Sequence, residues 1–241
     1  MPRLNWLHLT DLHFGLGGQG QLWPNVKQAF FDDLSRLHDR TGPWQVVLFS
    51  GDFVQQGKKE EFDKLDEQVL APLWARMKEL GSEPSLLAVP GNHDLIRPDA
   101  KKPTAALKQL LRPERFGEIA DDLFSDPRGE YGEIINTAFA EYAAWWRRTP
   151  YRHPAVRDGL LPGEFSVTFD VEDVRVGVVG LNTTFLQLAG GDYIGRLAWD
   201  VRQFHAATTG EPHGDGPGWV RQHDVCLLMT HQGPEWLDKN S

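Results

Sequence analysis

Val89-Pro90-Gly91-Asn92-His93-Asp94 is the stretch of this 241-residue chain whose reading decides the fold. An apolar run, Leu86 to Val89, enters a Pro-Gly turn, and an amide, an imidazole and a carboxylate follow at once. A strand ending this way presents polar side chains at the carboxyl edge of a sheet, where open α/β sheets carry their chemistry. Three more apolar runs end alike. Leu4 to Thr10 leads into Asp11-Leu12-His13, Val46 to Ser50 into Gly51-Asp52, and Val225 to Thr230 into His231. Four runs that each deliver Asp, Asn or His at their carboxyl end point to one metal site assembled from four strands.

The segments between these runs have helical spacing. Val26, Ala29, Phe30, Leu34 and Leu37 predict an amphipathic helix over about residues 25–40, stopped by Gly42-Pro43. Phe62, Leu65, Val69, Leu73, Met77 and Leu80 predict a second, kinked or split at Pro72 and capped by Gly81. The order strand, helix, strand, helix, strand predicts a parallel, right-handed β-α-β arrangement with Leu4–Thr10 as a first buried strand. Phe14 to Trp23 is a glycine-rich loop beside the site and lacks the pattern of a phosphate loop.

From Ile96 to Pro162 the pattern changes, with Pro98, Pro103, Pro113 and Pro127 punctuating short charged segments. Ile135, Ala138, Phe139, Tyr142 and Trp146 share one helical face. Residues 97–162 read as a helical insertion within a single domain over 1–241, the aromatic face serving as core or as a specificity cap over the site. Beyond it, Glu164–Val171 and Val174–Leu181 read as strands joined by a tight turn at Glu172-Asp173. A short helix over Leu197–Ala207, a loop over Thr208–Gly218 and a last strand over His223–Thr230 follow.

With 40% hydrophobic and 24% charged residues the chain can build a substantial core and is not disordered. A formal net charge of -9 argues against a non-specific grip on nucleic acid, which needs a basic surface. It leaves a phosphate substrate open, because bound divalent metals reverse the sign locally. Lys101, Lys102, Arg147, Arg148, Arg152 and Arg157 read as a solvated face rather than a basic rim. Cys226, the sole cysteine, excludes an intrachain disulfide and reads as a buried thiol. Met1 to Asn5 carries no secretion signal, and the longest apolar runs are too short to cross a bilayer. The expectation is a cytoplasmic protein with no membrane partner.

Each candidate residue alone has a bland explanation, a surface pair for Asp11 and His13 or a polar turn for Gly51-Asp52. Their combination is far more specific. Residues two apart at a strand end face the same way, so Asp11 and His13 can meet one cation. The two oxygens of Asp52 can bridge two metals, and Gly51 leaves room for an ion. Asn92 can ligate without adding charge, and His231 ends the last strand as a further ligand. His93 would then point at the substrate as proton donor to a leaving oxygen, with Asp94 accepting from its other ring nitrogen to fix the tautomer.

Asp11-x-His13, Gly51-Asp52, Gly91-Asn92-His93-Asp94 and His231, in this order and spacing, resemble the calcineurin-like metallophosphoesterase family over nearly the whole chain. Gly51-Asp52-Phe53-Val54-Gln55-Gln56-Gly57 and Met229 to Leu237 are similar to its bacterial branch, and His231-Gln232-Gly233 to the nuclease branch of double-strand-break repair. The resemblance implies an α/β fold of four layers, α/β/β/α, with central sheets flanked by helices. It implies two divalent metal ions, manganese, iron or zinc, among which mixed nitrogen and oxygen ligands do not choose sharply. Asp11, His13 and Asp52 would hold the first and Asp52, Asn92 and His231 the second. A shared hydroxide between metals about 3.5–4 Å apart would attack phosphorus in line. His93, steadied by Asp94, would protonate the leaving group. The substrates implied are phosphate esters, phosphodiesters or nucleic acid among them.

One departure stands out. The family pattern ends in a further strand and a Gly-His-x-His motif, and nothing after His231 supplies those histidines. His205, His213 and His223 all come before His231 in the wrong context, and only His213 lies in a reachable loop. The chain therefore reads as a domain incomplete at its C-terminus, with C-terminal domains missing, each metal keeping three protein ligands. Two roles are compatible with this: the N-terminal effector module of a larger phosphoesterase, or a catalytically impaired sensing or interaction domain on the same fold.

Overall fold

The computed structural model describes residues 2–17 and 22–239. Part of the glycine-rich loop expected over Phe14–Trp23 and the last two residues lie outside the described residues. In chain order the elements are β1 (Trp6–Leu9), α1 (Leu22–Thr41), β2 (Val46–Phe49), α2 (Lys59–Leu65), α3 (Ala71–Glu79) and β3 (Ser85–Ala88). Then come α4 (Ala105–Leu110), α5 (Ala120–Ser125), α6 (Glu130–Ala138), α7 (Ala140–Arg148), β4 (Arg157–Asp158), β5 (Phe165–Val171) and β6 (Val174–Gly180). α8 (Val201–Thr209), α9 (Gly216–Val220) and β7 (Val225–Met229) complete the set. β1, β2 and β3 form a parallel sheet in that order, and β4 to β7 a mixed sheet in which β7 runs parallel to β6.

The two sheets share one core. Val47 and Phe49 of β2 and Leu86 to Val89 at β3 cluster with Phe165 and Val167 of β5 and Val176 and Val178 of β6. The other face of the mixed sheet carries Val179 and Leu181 against Ala207 of α8, and Ser166 donates its hydroxyl to the Ala207 carbonyl at 2.7 Å. This alternation puts helices outside and apolar strand faces inside, the α/β/β/α layering.

Three local expectations need correction. Leu4–Thr10 predicts a buried strand, but β1 is a sheet edge and Trp6 is 47% exposed. The same holds for Cys226: β7 is an edge strand, Leu228 is 66% exposed, and the thiol is exposed rather than buried. An apolar run announces a strand without saying how many of its flanks and faces are covered. The helical face from Ile135 to Trp146 is broken at Phe139, where Ile96 N–H takes the Ala138 carbonyl at 2.8 Å. Ile135, Ala138 and Phe139 then pack in a second cluster, while Tyr142, Trp145 and Trp146 enter the main core, Trp145 stacking on Phe62 at 5.3 Å.

The split at Pro72 does occur, one turn upstream. Asp66–Leu70 forms a widened turn in which Ala71 N–H reaches back to the Asp66 carbonyl. Pro72 has no N–H to offer the Gln68 carbonyl, and Trp23 Nε1 fills that place at 2.9 Å.

Glu164, at the entry to β5, is 1% exposed. Gln203 Nε2 and the Leu161 N–H bond its two oxygens at 2.6 and 3.0 Å. Burial pushes its carboxyl up from 4.5 to about 7 despite these bonds. The folded state therefore keeps a proton that the unfolded chain releases, and stability falls as pH rises from about 4.5 to about 7. Chemical denaturation of the metal-free chain is expected to show Glu164→Gln gaining on the parent by roughly 3 kcal/mol between pH 4.5 and pH 8. A difference that does not vary with pH would refute this.

Candidate metal centre

The ends of β1, β2, β3 and β7 converge. Asp52 is the centre of the group, 3% exposed in a chain of net negative charge. His13 Nε2 lies 3.5 Å and His231 Nε2 3.6 Å from Asp52 Oδ2, and His13 Nε2 lies 3.7 Å from Asp11 Oδ1. Two sets of donors, His13 with Asp52 and His93, and Asp11 with Asp52 and His231, each lie within 4.8 Å of one another.

The backbone around these side chains is strained in a consistent way. Asp11, His13 and Asp52 have φ of 54°, 48° and 57°, in the left-handed region. Such residues cost about 1 kcal/mol or more each and persist only where surroundings over-determine them. Here a ladder between the two exit loops does so. Asp11 N–H bonds the Gly51 carbonyl at 3.0 Å, His13 N–H the Asp52 carbonyl at 2.9 Å, and Phe14 N–H the Phe53 carbonyl at 2.9 Å. Asp11 and His13 thus share a face through left-handed turns beyond β1, not through the pleat of an extended strand.

Gly91 is a close-approach position. A Cβ there would stand 2.1 Å from Asp52 Oδ1 and 2.3 Å from the Asp52 nitrogen. Gly51, at φ 102°, is both left-handed and crowded, a Cβ meeting Gly91 N at 2.6 Å and His231 Nδ1 at 2.7 Å. The two glycines let the β2 and β3 exits touch, and the His93 N–H then binds Asp52 Oδ1 at 2.8 Å. That leaves Oδ2 facing the imidazoles of His13 and His231.

Backbone carbonyls orient two rings. His231 Nδ1 donates to the Ser50 carbonyl at 2.7 Å and His93 Nδ1 to the Gln55 carbonyl at 3.0 Å. Each bond puts the proton on Nδ1 and frees Nε2. The His13 and His93 rings meet edge to face at 4.7 Å.

Asp94 does not contact the His93 ring in the expected way. It is fully buried, with Oδ1 accepting from Val54 N–H at 3.0 Å and Oδ2 from Gly91 N–H at 2.8 Å. Burial and the neighbouring Asp52 charge push its carboxyl up to about 8, against those amide bonds. Its geometry ties the β2 and β3 exit loops together, and the Gln55 carbonyl takes the role of orienting His93.

Asn92 precedes His93 in the same exit turn. Its Oδ1 accepts from Gln232 Nε2 at 3.0 Å, and the same amide reaches Gln187 Oε1 at 3.0 Å. Thr183 Oγ1 accepts from the Gln232 backbone N–H at 3.0 Å. These partners escape the sequence reading, although Gln232 follows His231 directly and Thr183 lies in the polar exit of β6. Of the three histidines from α8 to β7, His205 and His223 are committed elsewhere. His205 Nδ1 accepts from Gly216 N–H at 3.2 Å, His223 bonds Thr168 and the Trp219 carbonyl, and His213 is exposed in its loop. Arg148 and Arg152 form ion pairs with Asp63 and Asp158, and Arg157 bonds the Thr209 carbonyl.

The donor set fits divalent cations. The nitrogen-oxygen spacings of 3.5–3.7 Å are too long for hydrogen bonds. They match the separation of about 3.4 Å between two ligand atoms each about 2.1 Å from one tetrahedral ion. His13 Nδ1, on the far side of its ring, is buried with no hydrogen-bond partner.

A model of the calcineurin-like phosphoesterase family matches residues 4–240. The chain belongs to that family, whose members are dinuclear metal-dependent enzymes acting on phosphoric esters. No curated protein sequence matches it. Among solved structures, a similar chain is a Staphylococcus aureus protein described as a candidate 5'-nucleotidase, in complex with alpha-ketoglutarate. The two share 16% identity at a TM-score of 0.42, over 95% of this chain and 37% of that one. This chain thus spans little more than a third of the length of that protein. Among the described residues no helix is long and apolar enough to cross a membrane.

Because a Cβ at residue 91 cannot coexist with Asp52 in its place, Gly91→Ala is expected to weaken manganese binding at least about 10-fold. Titration calorimetry checks this, with circular dichroism confirming that the fold survives. Unchanged affinity would show that the contact between Gly91 and Asp52 does not govern the site.

Proposed function

We propose that the protein hydrolyses phosphodiesters, nucleic acid among them, at a two-metal centre built by Asp11, His13, Asp52, Asn92 and His231. We assign the whole of 1–241 to one metallophosphoesterase domain, with 97–162 as a helical insertion in it. The carrying observation is the free Asp52 Oδ2 between His13 Nε2 and His231 Nε2. A carboxylate oxygen between two imidazoles suits a bridging ligand. Asp11 and His13 would complete one metal site, Asn92 and His231 the other. Bound there, two divalent ions supply neutralisation of the phosphoryl oxygens and activation of water at neutral pH.

The chain's own groups do the rest. Asp52 is held by the His93 N–H and by contact with Gly91, so its carboxylate needs no reorganisation during turnover. His93, its Nδ1 tied to the Gln55 carbonyl, turns Nε2 toward the substrate and, when protonated, donates to the leaving oxygen. Asp94 acts through the backbone, holding the turn that carries Gly91, Asn92 and His93 against Val54. Manganese or iron suits the mixed imidazole and carboxylate set as well as zinc does.

The measurement is manganese-dependent hydrolysis of a bis-aryl phosphodiester. Asp52→Asn is expected to reduce kcat/KM by at least about 100-fold; equal rates would end the enzymatic reading. His93→Gln should lose roughly 100-fold or more on esters of poorly acidic alcohols and much less on nitrophenyl esters, whose leaving group needs no proton. A uniform loss across leaving groups would remove the proton-donor role.

A further inference from the structure

Beside His93 a cleft of about 250 Å³ opens between the β2 exit loop and the segment after β3. Gln55, Lys58, Asn92, His93, Ile96 and Arg97 line it. Lys58 and Arg97 are both exposed, and among the described residues neither side chain forms an ion pair. Neither Glu60 nor Glu61, the acids that follow Lys58 in sequence, is in an ion pair with it among the described residues. Glu61 Oε2 is taken by the backbone N–H groups of Gln56 and Lys58 at 3.0 and 3.1 Å, which cap the start of α2. The Gln55 side-chain oxygen, on the same wall, is buried with no hydrogen-bond partner. An ammonium and a guanidinium, neither paired with a protein carboxylate, thus line one cleft beside the metal centre.

We propose that this cleft is a subsite for a second phosphate, the one flanking the scissile phosphodiester on its leaving-group side, so that the substrate is a nucleotide chain rather than an isolated diester. The inference rests on the reading given under Proposed function. A guanidinium and an ammonium are the pair of donors that phosphate recognition uses, one as a fork and one as a point charge. The side is set by His93, which lines the cleft and carries the proton for the leaving oxygen. The volume lies below the roughly 300–1,000 Å³ of pockets that enclose a whole drug-sized ligand. It suits a phosphate with its sugar, the base remaining outside against Ile96, which is 46% exposed. A diester with uncharged substituents leaves both cations without a counter-ion and gains nothing from them.

The test compares a thymidine trinucleotide with a bis-aryl phosphodiester, in manganese, for the parent chain and the double variant Lys58→Ala/Arg97→Ala. The double variant is expected to lower the ratio of kcat/KM between the trinucleotide and the diaryl ester by at least about 10-fold, chiefly through KM. Lys78→Ala, which removes a cation outside the cleft, should leave that ratio in place. A second readout needs no turnover: binding of a phosphorothioate trinucleotide to the manganese-treated chain. The double variant should weaken it at least about 10-fold and flatten its salt dependence by about one and a half units of log Kd per log salt, the share of two phosphate contacts on a single strand. An unchanged ratio with unchanged binding, or equal losses on both substrates, would overturn the subsite. If neither substrate is hydrolysed, the phosphodiesterase reading fails, and the binding arm still decides the cleft: lost affinity in the double variant upholds it and equal affinity refutes it.

Discussion

The contact between the Asp52 carboxylate and the backbone of Gly91 is the constraint on which the site depends. Two loops leaving adjacent parallel strands approach until no atom larger than hydrogen fits at residue 91. Only then can the His93 N–H reach Asp52 Oδ1, turn Oδ2 outward, and set it between two imidazoles from strands at opposite ends of the chain. A charged group buried in this way is tolerated because every bond it makes is directional and because cations are its natural complement.

The strain at Asp11, His13 and Asp52 belongs to the same design. Aspartate and histidine enter the left-handed region more readily than most residues, but three such positions in one site still need compensation. The hydrogen-bond ladder between the β1 and β2 exits and the buried Asp94 carboxylate, which bonds both the β2 and β3 exits, supply the compensation. Rigidity is thus distributed over backbone amides rather than over long side chains. The same economy recurs in the rings, where the carbonyls of Ser50 and Gln55 orient His231 and His93. A carbonyl partner fixes the tautomer without adding negative charge to a site that already holds Asp11 and Asp52.

Behind the site, the helical segment contributes to the body of the protein. Tyr142, Trp145 and Trp146 of α7 pack with Phe53, the residue next to Asp52, and with Phe62 of α2. Trp145 also donates to Asp66 at 2.8 Å, in the widened turn that Pro72 imposes. The aromatic face is therefore core, and it supports the loop carrying the central carboxylate from beneath. The Gln232, Asn92 and Gln187 chain does the corresponding work from the side of the mixed sheet.

Much of this is written in local patterns. Apolar runs closed by a short polar motif announce the strands and their order, and the residues after each run name Asp11, His13, Asp52, Asn92, His93 and His231, because a strand end is where such a motif has nowhere to go but the sheet edge. What local pattern cannot carry is adjacency. The run at β1 looks like that at β2, yet one is an edge and the other a centre, and Cys226 is exposed because β7 has an open flank. His93 and Asp94 are neighbours in sequence, but the Gln55 carbonyl meets the imidazole and the Val54 and Gly91 amides meet the carboxylate. Those partners, like the pairing of Gln232 with Asn92 across 140 positions, arise from distances that only the packed sheets create. The sequence by itself determined the donor groups and the strand ends that present them. Tertiary structure alone decided their partners, since hydrogen bonds and steric contact act over a few ångströms between segments that the chain holds far apart.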